Sequence, residues 1–212
     1  MTPDSIADME ALAAAVAARR SWASLGAEAG RIQAAVAVPL HLGPRGLEVW
    51  AIKRTADMRH HAGEIAFPGG QRDEGDPDLR HTALRELEEE LGIGGDRVRV
   101  LGAMGRFPTA TSRFTLNPFV VLVAEGTIAR PHTGEVAALI TMPVADFFAG
   151  RVPYRAVELG TGRRSPIFGF EAGAMYGASA HVLDELLRAH AELRGQTYPE
   201  PELTDVIPWA QR

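Results

Sequence analysis

A run of glutamates in the middle of the chain is the strongest candidate for chemistry. Residues 85–93 read RELEEELGI, with four carboxylates within positions 86–90. Like charges three or four residues apart on a helix cost about 0.2–0.5 kcal/mol per pair, which a bound cation would offset. At about 100° per residue, Glu86, Glu89 and Glu90 converge while Glu88 points away. Oxygen ligands without sulfur suit Mg²⁺ or Mn²⁺, so the run predicts metal-dependent phosphoryl chemistry; a solvated acidic helix face is the alternative.

The neighbouring segments predict how this run is positioned. The letters DPD at 76–78 and the glycine at 92 mark the start and end of a helix. The letters FPGG at 67–70 predict a loop whose backbone can approach a ligand or metal closely. A hairpin is expected from strands 34–42 and 47–52 around the turn GPRG. Further strands are predicted at 97–102, 117–124 and 136–142, and helices within 3–31 and at 144–149 and 179–194.

Loop, helix and glutamate run together resemble the Nudix box. In that box a glycine and a glutamate precede Arg-Glu-hydrophobic-x-Glu-Glu-x-Gly-hydrophobic, which residues 85–93 match. The stretch from Gly70 to Arg85 is one residue longer than usual, and Asp76 replaces the first glutamate. A helix cap explains Asp76 equally well. The resemblance implies an α/β fold, a Nudix-type α/β/α sandwich with a mixed β-sheet.

The resemblance also implies roles for single residues. The expected metal ligands are Glu86, Glu89, Glu90, Gly70 and Glu135. Glu86 is either a ligand or the base that activates water, and Arg85 orients it, so that Glu86, Arg85 and Glu89 form the expected catalytic group. A carboxylate beside a divalent ion can perform either task, because the ion neutralises phosphate charge and water must lose a proton.

A second resemblance concerns the substrate. Residues 54–70 read RTADMRHHAGEIAFPGG, which is similar to the signature of coenzyme A pyrophosphatases within the Nudix superfamily. This likeness implies hydrolysis of coenzyme A or acyl-CoA to 4′-phosphopantetheine and adenosine 3′,5′-bisphosphate. The expected substrate contacts are Arg54, Arg59, His61 and Gly69, since coenzyme A carries a 3′-phosphate and a pyrophosphate. Surface ion pairs for the arginines and a structural role for the histidine are the alternatives.

The composition excludes several other classes of site and partner. The 212 residues contain no cysteine, which rules out disulfides, thiolate zinc sites and cysteine nucleophiles. A formal charge of -5 argues against nucleic acid as a partner. No apolar run approaches the roughly 20 residues of a membrane helix, and the start of the chain is acidic. A cytoplasmic protein with a small-molecule substrate and no membrane partner is expected.

The expected organisation is a helical N-terminal lead-in over residues 1–30, a Nudix hydrolase domain over 31–196 and an extended tail over 197–212. A symmetric homodimer is the common default for oligomers. Two other functions stay open. The same helix could serve a hydrolase of ADP-ribose, NADH or a nucleoside triphosphate, or a non-catalytic module that senses a nucleotide.

Overall fold

The computed structural model describes residues 5–19, 30–57, 61–109, 113–160 and 162–208. The α-helices in these ranges are α1 Ile6–Ala18, α2 Leu79–Leu91, α3 Val144–Phe148 and α4 Gly177–Arg194. The strands are β1 Ile32–Gly43, β2 Gly46–Arg54, β3 Ile65–Ala66, β4 Gly69–Gln71, β5 Val98–Ala103, β6 Phe107–Pro108, β7 Phe114–Val123, β8 Val136–Pro143, β9 Tyr154–Glu158, β10 Arg164–Phe170, β11 Gly173–Met175 and β12 Glu202–Leu203. None of the described helices is both long and apolar enough to span a bilayer.

Strands β1 and β2 form the predicted hairpin and then separate. They pair antiparallel from Leu40 opposite Val49 to Gly43 opposite Gly46, and Gly46 has a φ of 92°. Residues other than glycine rarely adopt that backbone conformation, which accounts for a glycine at this turn. Away from the turn, strand β4 pairs with β1 and strand β3 pairs with β2. The segment 65–71 therefore crosses the gap between the two parting strands, and this gap is where the glycine loop lies.

The remaining strands extend a mixed sheet on both sides of this gap. Strand β7 lies parallel to β1, with β5 antiparallel beyond it. Strand β8 runs antiparallel to β2. Strands β11, β10, β9 and β12 continue the sheet from β3. The mixed sheet confirms the predicted α/β class.

The sheet separates two hydrophobic cores, which confirms the sandwich of helix, sheet and helix. The larger core takes side chains from α1, α3 and α4, for example Met9, Phe147 and Leu187. The smaller core lies on the opposite face, where Ala83, Leu87 and Leu91 of α2 pack against β1, β2 and β7. Helix α2 is thus held by its apolar stripe, which leaves its carboxylates at the edge of the contact.

The first and last described segments are also joined to this body, α1 through its apolar side chains in the larger core and the tail through a strand. Helix α1 begins at Ser5, whose hydroxyl and backbone N–H form a reciprocal capping box with Asp8. Residues 20–29 of the predicted lead-in lie outside the described residues. In the tail, β12 runs parallel to β9, and the hydroxyl of Tyr198 donates to Asp184 Oδ1 at 2.7 Å. Strands β9, β10 and β11 were not predicted from the sequence.

Candidate active site

Helix α2 carries the glutamate run, and its two ends are set by local chemistry. The N-cap is Asp78, whose Oδ1 accepts from the backbone N–H of His81 at 2.8 Å. The helix ends at Gly92, which has the left-handed φ of 64°. The predicted helix and its end at Gly92 are confirmed, but it starts at Leu79, two residues later than a cap at Asp76 would give. The alternative reading of Asp76 as its cap is wrong, because Asp78 occupies that position.

Asp76 is instead a buried partner of Arg85 on helix α2. Both of its oxygens accept from Arg85, at 3.2 Å from Nε and 3.1 Å from Nη2. Oδ2 also accepts from the hydroxyl of Thr82 at 2.9 Å and from the N–H of Asp73 at 3.1 Å. These donors, Arg85 foremost, lower the pKa of Asp76 to about 2. Asp76 is a residue that sequence reasoning missed, although its place at the acidic position of the box was a usable signal.

Arg85 is surrounded by carboxylates. Its Nη1 donates to Glu86 Oε1 and to Glu89 Oε2, both at 2.9 Å. The hydrogen bonds that Arg85 donates to Asp76, with the charges of Glu86 and Glu89, raise the pKa of Arg85 further above its usual range. Arg85 is therefore a permanent cation in direct contact with Glu86, the residue that the resemblance predicts it to orient.

Glu90 is the most deeply buried carboxylate of the run, with 1% of its side chain exposed. Its Oε2 accepts from the backbone N–H of Gly69 at 2.9 Å, whereas Oε1 accepts no hydrogen bond. Arg54 Nη1 lies 3.3 Å from Oε1. Burial above all, and the charges of Glu86 and Glu135, raise the pKa of Glu90 to about 7 against the opposing effects of Arg54 and Gly69. The negative charge of Glu90 is thus incompletely neutralised.

Glu86 and the two glycines fit closely together. Burial raises the pKa of Glu86, although the guanidinium of Arg85 opposes this effect. A Cβ atom on Gly70 would stand 2.2 Å from Glu86 Oε1, and one on Gly69 would stand 2.4 Å from the carbonyl oxygen of Ala35. A side chain at Gly69 would collide with backbone, and one at Gly70 would have to displace the carboxylate of Glu86, so the paired glycines bring backbone against the carboxylates.

Glu135 reaches the site from a loop that is bonded to the end of α2. The N–H groups of Arg130 and His132 donate to the carbonyls of Leu91 and Glu90 at 2.6 and 2.9 Å. These carbonyls belong to the last turn of the helix and have no partner within it. The carbonyl of Glu135 in turn accepts from the N–H of Thr55 at 2.9 Å. Glu135 is exposed, and its charge is among the smaller causes that raise the pKa of Glu86 and of Glu90.

The predicted substrate contacts are distributed differently. Arg54 and Gly69 lie against Glu90, inside the carboxylate group. Nδ1 of His61 lies 2.9 Å from Glu64 Oε2, in the loop between β2 and β3, and its ring is largely exposed. Arg59 lies outside the described residues.

The chemistry of these donors fits a hard divalent cation. Within the described ranges no three acidic or histidine side chains are gathered into a closed set of ligands. Arg85 stands between Glu86 and Glu89, and Arg54 stands against Glu90. A hard divalent cation would coordinate the buried Glu90 oxygen that accepts no hydrogen bond, and it would offset the repulsion between the carboxylates.

The family model described as "NUDIX domain" matches residues 31–159, a range that contains the glycine loop, α2 and Glu135. The chain belongs to the Nudix family. A protein of Pectobacterium atrosepticum named "Uncharacterized Nudix hydrolase NudL" is 42% identical over 117 residues, which are 55% of this chain and 60% of that protein. Its namesake from Salmonella paratyphi B is 34% identical over 157 residues, 73% of this chain and 80% of that protein. The chain thus spans three fifths of the length of the first relative and four fifths of the length of the second.

Solved structures agree on the Nudix fold. The crystal structure of an Ap4A hydrolase from C. elegans has a TM-score of 0.51 at 14% identity and covers 77% of this chain and 98% of that one. A MutT/nudix family protein from Enterococcus faecalis also has a TM-score of 0.51, at 12% identity, with 84% and 68% covered. Family and relatives together make this a Nudix hydrolase, of the kind that acts on phosphoric anhydrides of nucleotide derivatives and generally uses divalent metals.

Proposed function

We propose that this protein hydrolyses the pyrophosphate bond of coenzyme A or acyl-CoA, with Mg²⁺ or Mn²⁺ bound. The products are 4′-phosphopantetheine and adenosine 3′,5′-bisphosphate. The residues at 54–70 support the substrate, since they are similar to the coenzyme A pyrophosphatase signature. The observation that carries the chemistry is the buried Glu90 carboxylate, which lies among other carboxylates with one oxygen accepting no hydrogen bond.

Oxygen atoms from four residues would hold the metal, namely those of Glu89, Glu90 and Glu135 with the backbone carbonyl of Gly70. Glu86 is either a further ligand or the general base, and its burial and its contact with Arg85 favour the second role. A divalent ion bound there would offset the charge of the phosphates and make water a stronger acid. Glu89 has 57% of its side chain exposed, so it can move from Arg85 toward the metal ion at little cost. Glu90 is held by the Gly69 amide and is already in place.

Glu86 is the proposed general base. Its pKa is raised by burial, which brings it closer to neutral pH and makes the carboxylate a better proton acceptor. Arg85 donates to Glu86 Oε1 and is itself fixed by Asp76, so the other oxygen of Glu86 is presented in a defined direction. Water would add to one phosphorus of the bridge while the bond to the bridging oxygen breaks, and the proton of the water would pass to Glu86.

The substrate would be bound by cationic and backbone donors on the loop side of the site. Arg54 and Arg59 are proposed to contact its phosphates, with His61 as a further donor and the Gly69 loop as a close backbone surface. Arginine suits this task because its planar fork can donate two parallel hydrogen bonds to a phosphate.

A substrate competition tests the proposal. The purified protein is incubated with Mg²⁺ or Mn²⁺ and equal concentrations of coenzyme A, ADP-ribose, NADH and deoxynucleoside triphosphates, and products are identified by mass spectrometry. Coenzyme A should be cut fastest. Glu86→Gln should lower the rate by about 100-fold or more, as loss of a general base does. Glu88→Gln is the matched control, because Glu88 is exposed on the same helix and points away.

The outcomes separate substrate from chemistry. If another diphosphate is cut faster than coenzyme A, the substrate assignment fails and the hydrolytic site stands. If no compound is cut with either metal, the chain acts as a nucleotide-binding module. If Glu86→Gln retains the full rate of hydrolysis, Glu86 is not the general base.

A further inference from the structure

Arg54 occupies an unusual position for a residue expected to bind substrate. It ends strand β2, where the pairing with β8 shifts its register between Lys53 and Arg54. Its backbone N–H donates to the carbonyl of Glu64 at 2.9 Å, which anchors the main chain. The guanidinium turns inward, with only 17% of the side chain exposed, and Nη1 lies 3.3 Å from Glu90 Oε1. The group that should meet an anionic substrate is thus placed against a buried carboxylate.

The contact between Arg54 and Glu90 is electrostatic rather than a well-formed hydrogen bond. Glu90 Oε1 accepts no hydrogen bond, although the guanidinium is within ion-pair distance. Arg85 differs, since it donates to both Asp76 oxygens and to Glu86 and Glu89. A buried carboxylate oxygen that faces a guanidinium without a good hydrogen bond recovers little of its lost hydration. The contact of Arg54 with this oxygen can therefore be replaced by a better cation, whereas Arg85 donates four hydrogen bonds to carboxylates.

We propose that Arg54 acts as an internal substitute for the metal: it partly balances the charge of Glu90 in the metal-free protein and is displaced when a divalent ion binds. The displaced guanidinium then becomes available to an anionic group of the substrate. This inference rests on the proposed function, because it requires a divalent ion at Glu90. It makes Arg54 a positioning residue that couples the arrival of the metal to the binding of phosphate.

The exchange has a thermodynamic consequence that can be measured without catalysis. Metal binding must first break the contact between Arg54 and Glu90, so the contact weakens the affinity for the ion. Removing the guanidinium charge should therefore tighten metal binding in the absence of substrate. Interactions with charged partners typically change an equilibrium by about ten- to one hundred-fold, and an effect in this range is expected.

The experiment measures the dissociation constant of Mn²⁺ by the electron paramagnetic resonance signal of the free ion, at pH 8 and without nucleotide. Arg54→Gln should bind Mn²⁺ at least ten-fold more tightly than the native chain. The matched control is Arg99→Gln, which removes an arginine of a distant surface ion pair with Glu10 and should change nothing. In a Glu90→Gln background, Arg54→Gln should no longer tighten binding, since the partner of the arginine is gone.

A second measurement needs no stable variant at position 54. In the native chain labelled with ¹⁵N, the Nε–H resonance of Arg54 is followed during a titration with Mg²⁺. It should shift and exchange faster with water as the guanidinium leaves Glu90, while the Nε–H of Arg85 stays protected.

Unchanged or weaker Mn²⁺ binding by Arg54→Gln, or an Arg54 resonance indifferent to Mg²⁺, would overturn the inference while leaving the proposed hydrolysis intact. If the native chain and Arg54→Gln bind no Mn²⁺ at all, both this inference and the metal-dependent function fail. The two failures are thus distinguishable.

Discussion

The charge of Glu90 should make the metal-free protein less stable than its neutral variant. The pKa of Glu90 is raised from 4.5 to about 7 in the folded chain. The unfolded chain therefore releases this proton first, and stability is lost as pH rises from about 4.5 through about 7. At about 1.4 kcal/mol for each pH unit between these values, the loss is about 3 kcal/mol.

Glu90→Gln carries the neutral amide at all pH values and should escape this loss. In EDTA at pH 8 its free energy of unfolding should be about 3 kcal/mol higher than that of the native chain. For a protein of this size, this corresponds to a rise in Tm of about 6–12 °C. The difference should shrink toward zero below pH 4.5, where the native glutamate is itself protonated. Glu88→Gln, an exposed change of the same charge on the same helix, should stay within about 0.5 kcal/mol.

Thermal unfolding followed by circular dichroism across this pH range checks the prediction, with and without Mn²⁺. Saturating metal should stabilise the native chain and should stabilise Glu90→Gln much less, because the ion binds the folded carboxylate. A Glu90→Gln variant that is no more stable than the native chain in EDTA at pH 8 would refute the reasoning. It would mean that Arg54 and the Gly69 amide already compensate fully for the burial of the charge.

Two further substitutions test how the catalytic helix is positioned. Gly70→Ala should displace Glu86, because the added Cβ would stand 2.2 Å from its Oε1, and kcat should fall by about ten-fold or more; Gly75→Ala, where a Cβ meets nothing within 4 Å, should leave kcat unchanged. Asp76→Asn should free Arg85 and lower kcat with little change in KM. It should also make the protein unfold at a higher pH on acidification. The reason is that a carboxylate with its pKa lowered to about 2 stabilises the fold above pH 3.8 and loses this effect as pH falls toward 2. Equal kcat for Gly70→Ala and the native chain, or an acid midpoint unmoved by Asp76→Asn, would contradict these assignments.

Much of the fold could be predicted because its signals are local. The hairpin of β1 and β2 follows from two apolar runs around a glycine turn, and α2 follows from its leucine stripe, a capping aspartate and a final glycine. Strands β9, β10 and β11 pair with one another as neighbours along the chain, but Pro166 and Gly169 interrupt the apolar pattern of β10 and weaken its strand signal. Their place in the sheet depends on a distant segment, since β11 joins it through the single pair of Met175 and Ile65.

For the site, the sequence by itself determined which chemical groups are available and which of them share one helix face. It could not assign Asp76, because the same residue type serves as a helix cap and as a buried ion partner. Only the contact with Arg85 across the helix start distinguishes these roles. The identity of the carboxylates is thus a property of the sequence, whereas their partners belong to the fold.

The tertiary structure alone decided how strongly each carboxylate is perturbed. Glu89 and Glu90 are neighbours in sequence and identical in chemistry, yet one is 57% exposed and the other 1%. The difference arises because β1 and β2 part beside α2 and the crossing segment brings the Gly69 amide onto Glu90. Burial and charge fix the pKa of a carboxylate through everything that surrounds it, and those surroundings are assembled from segments that are far apart along the chain.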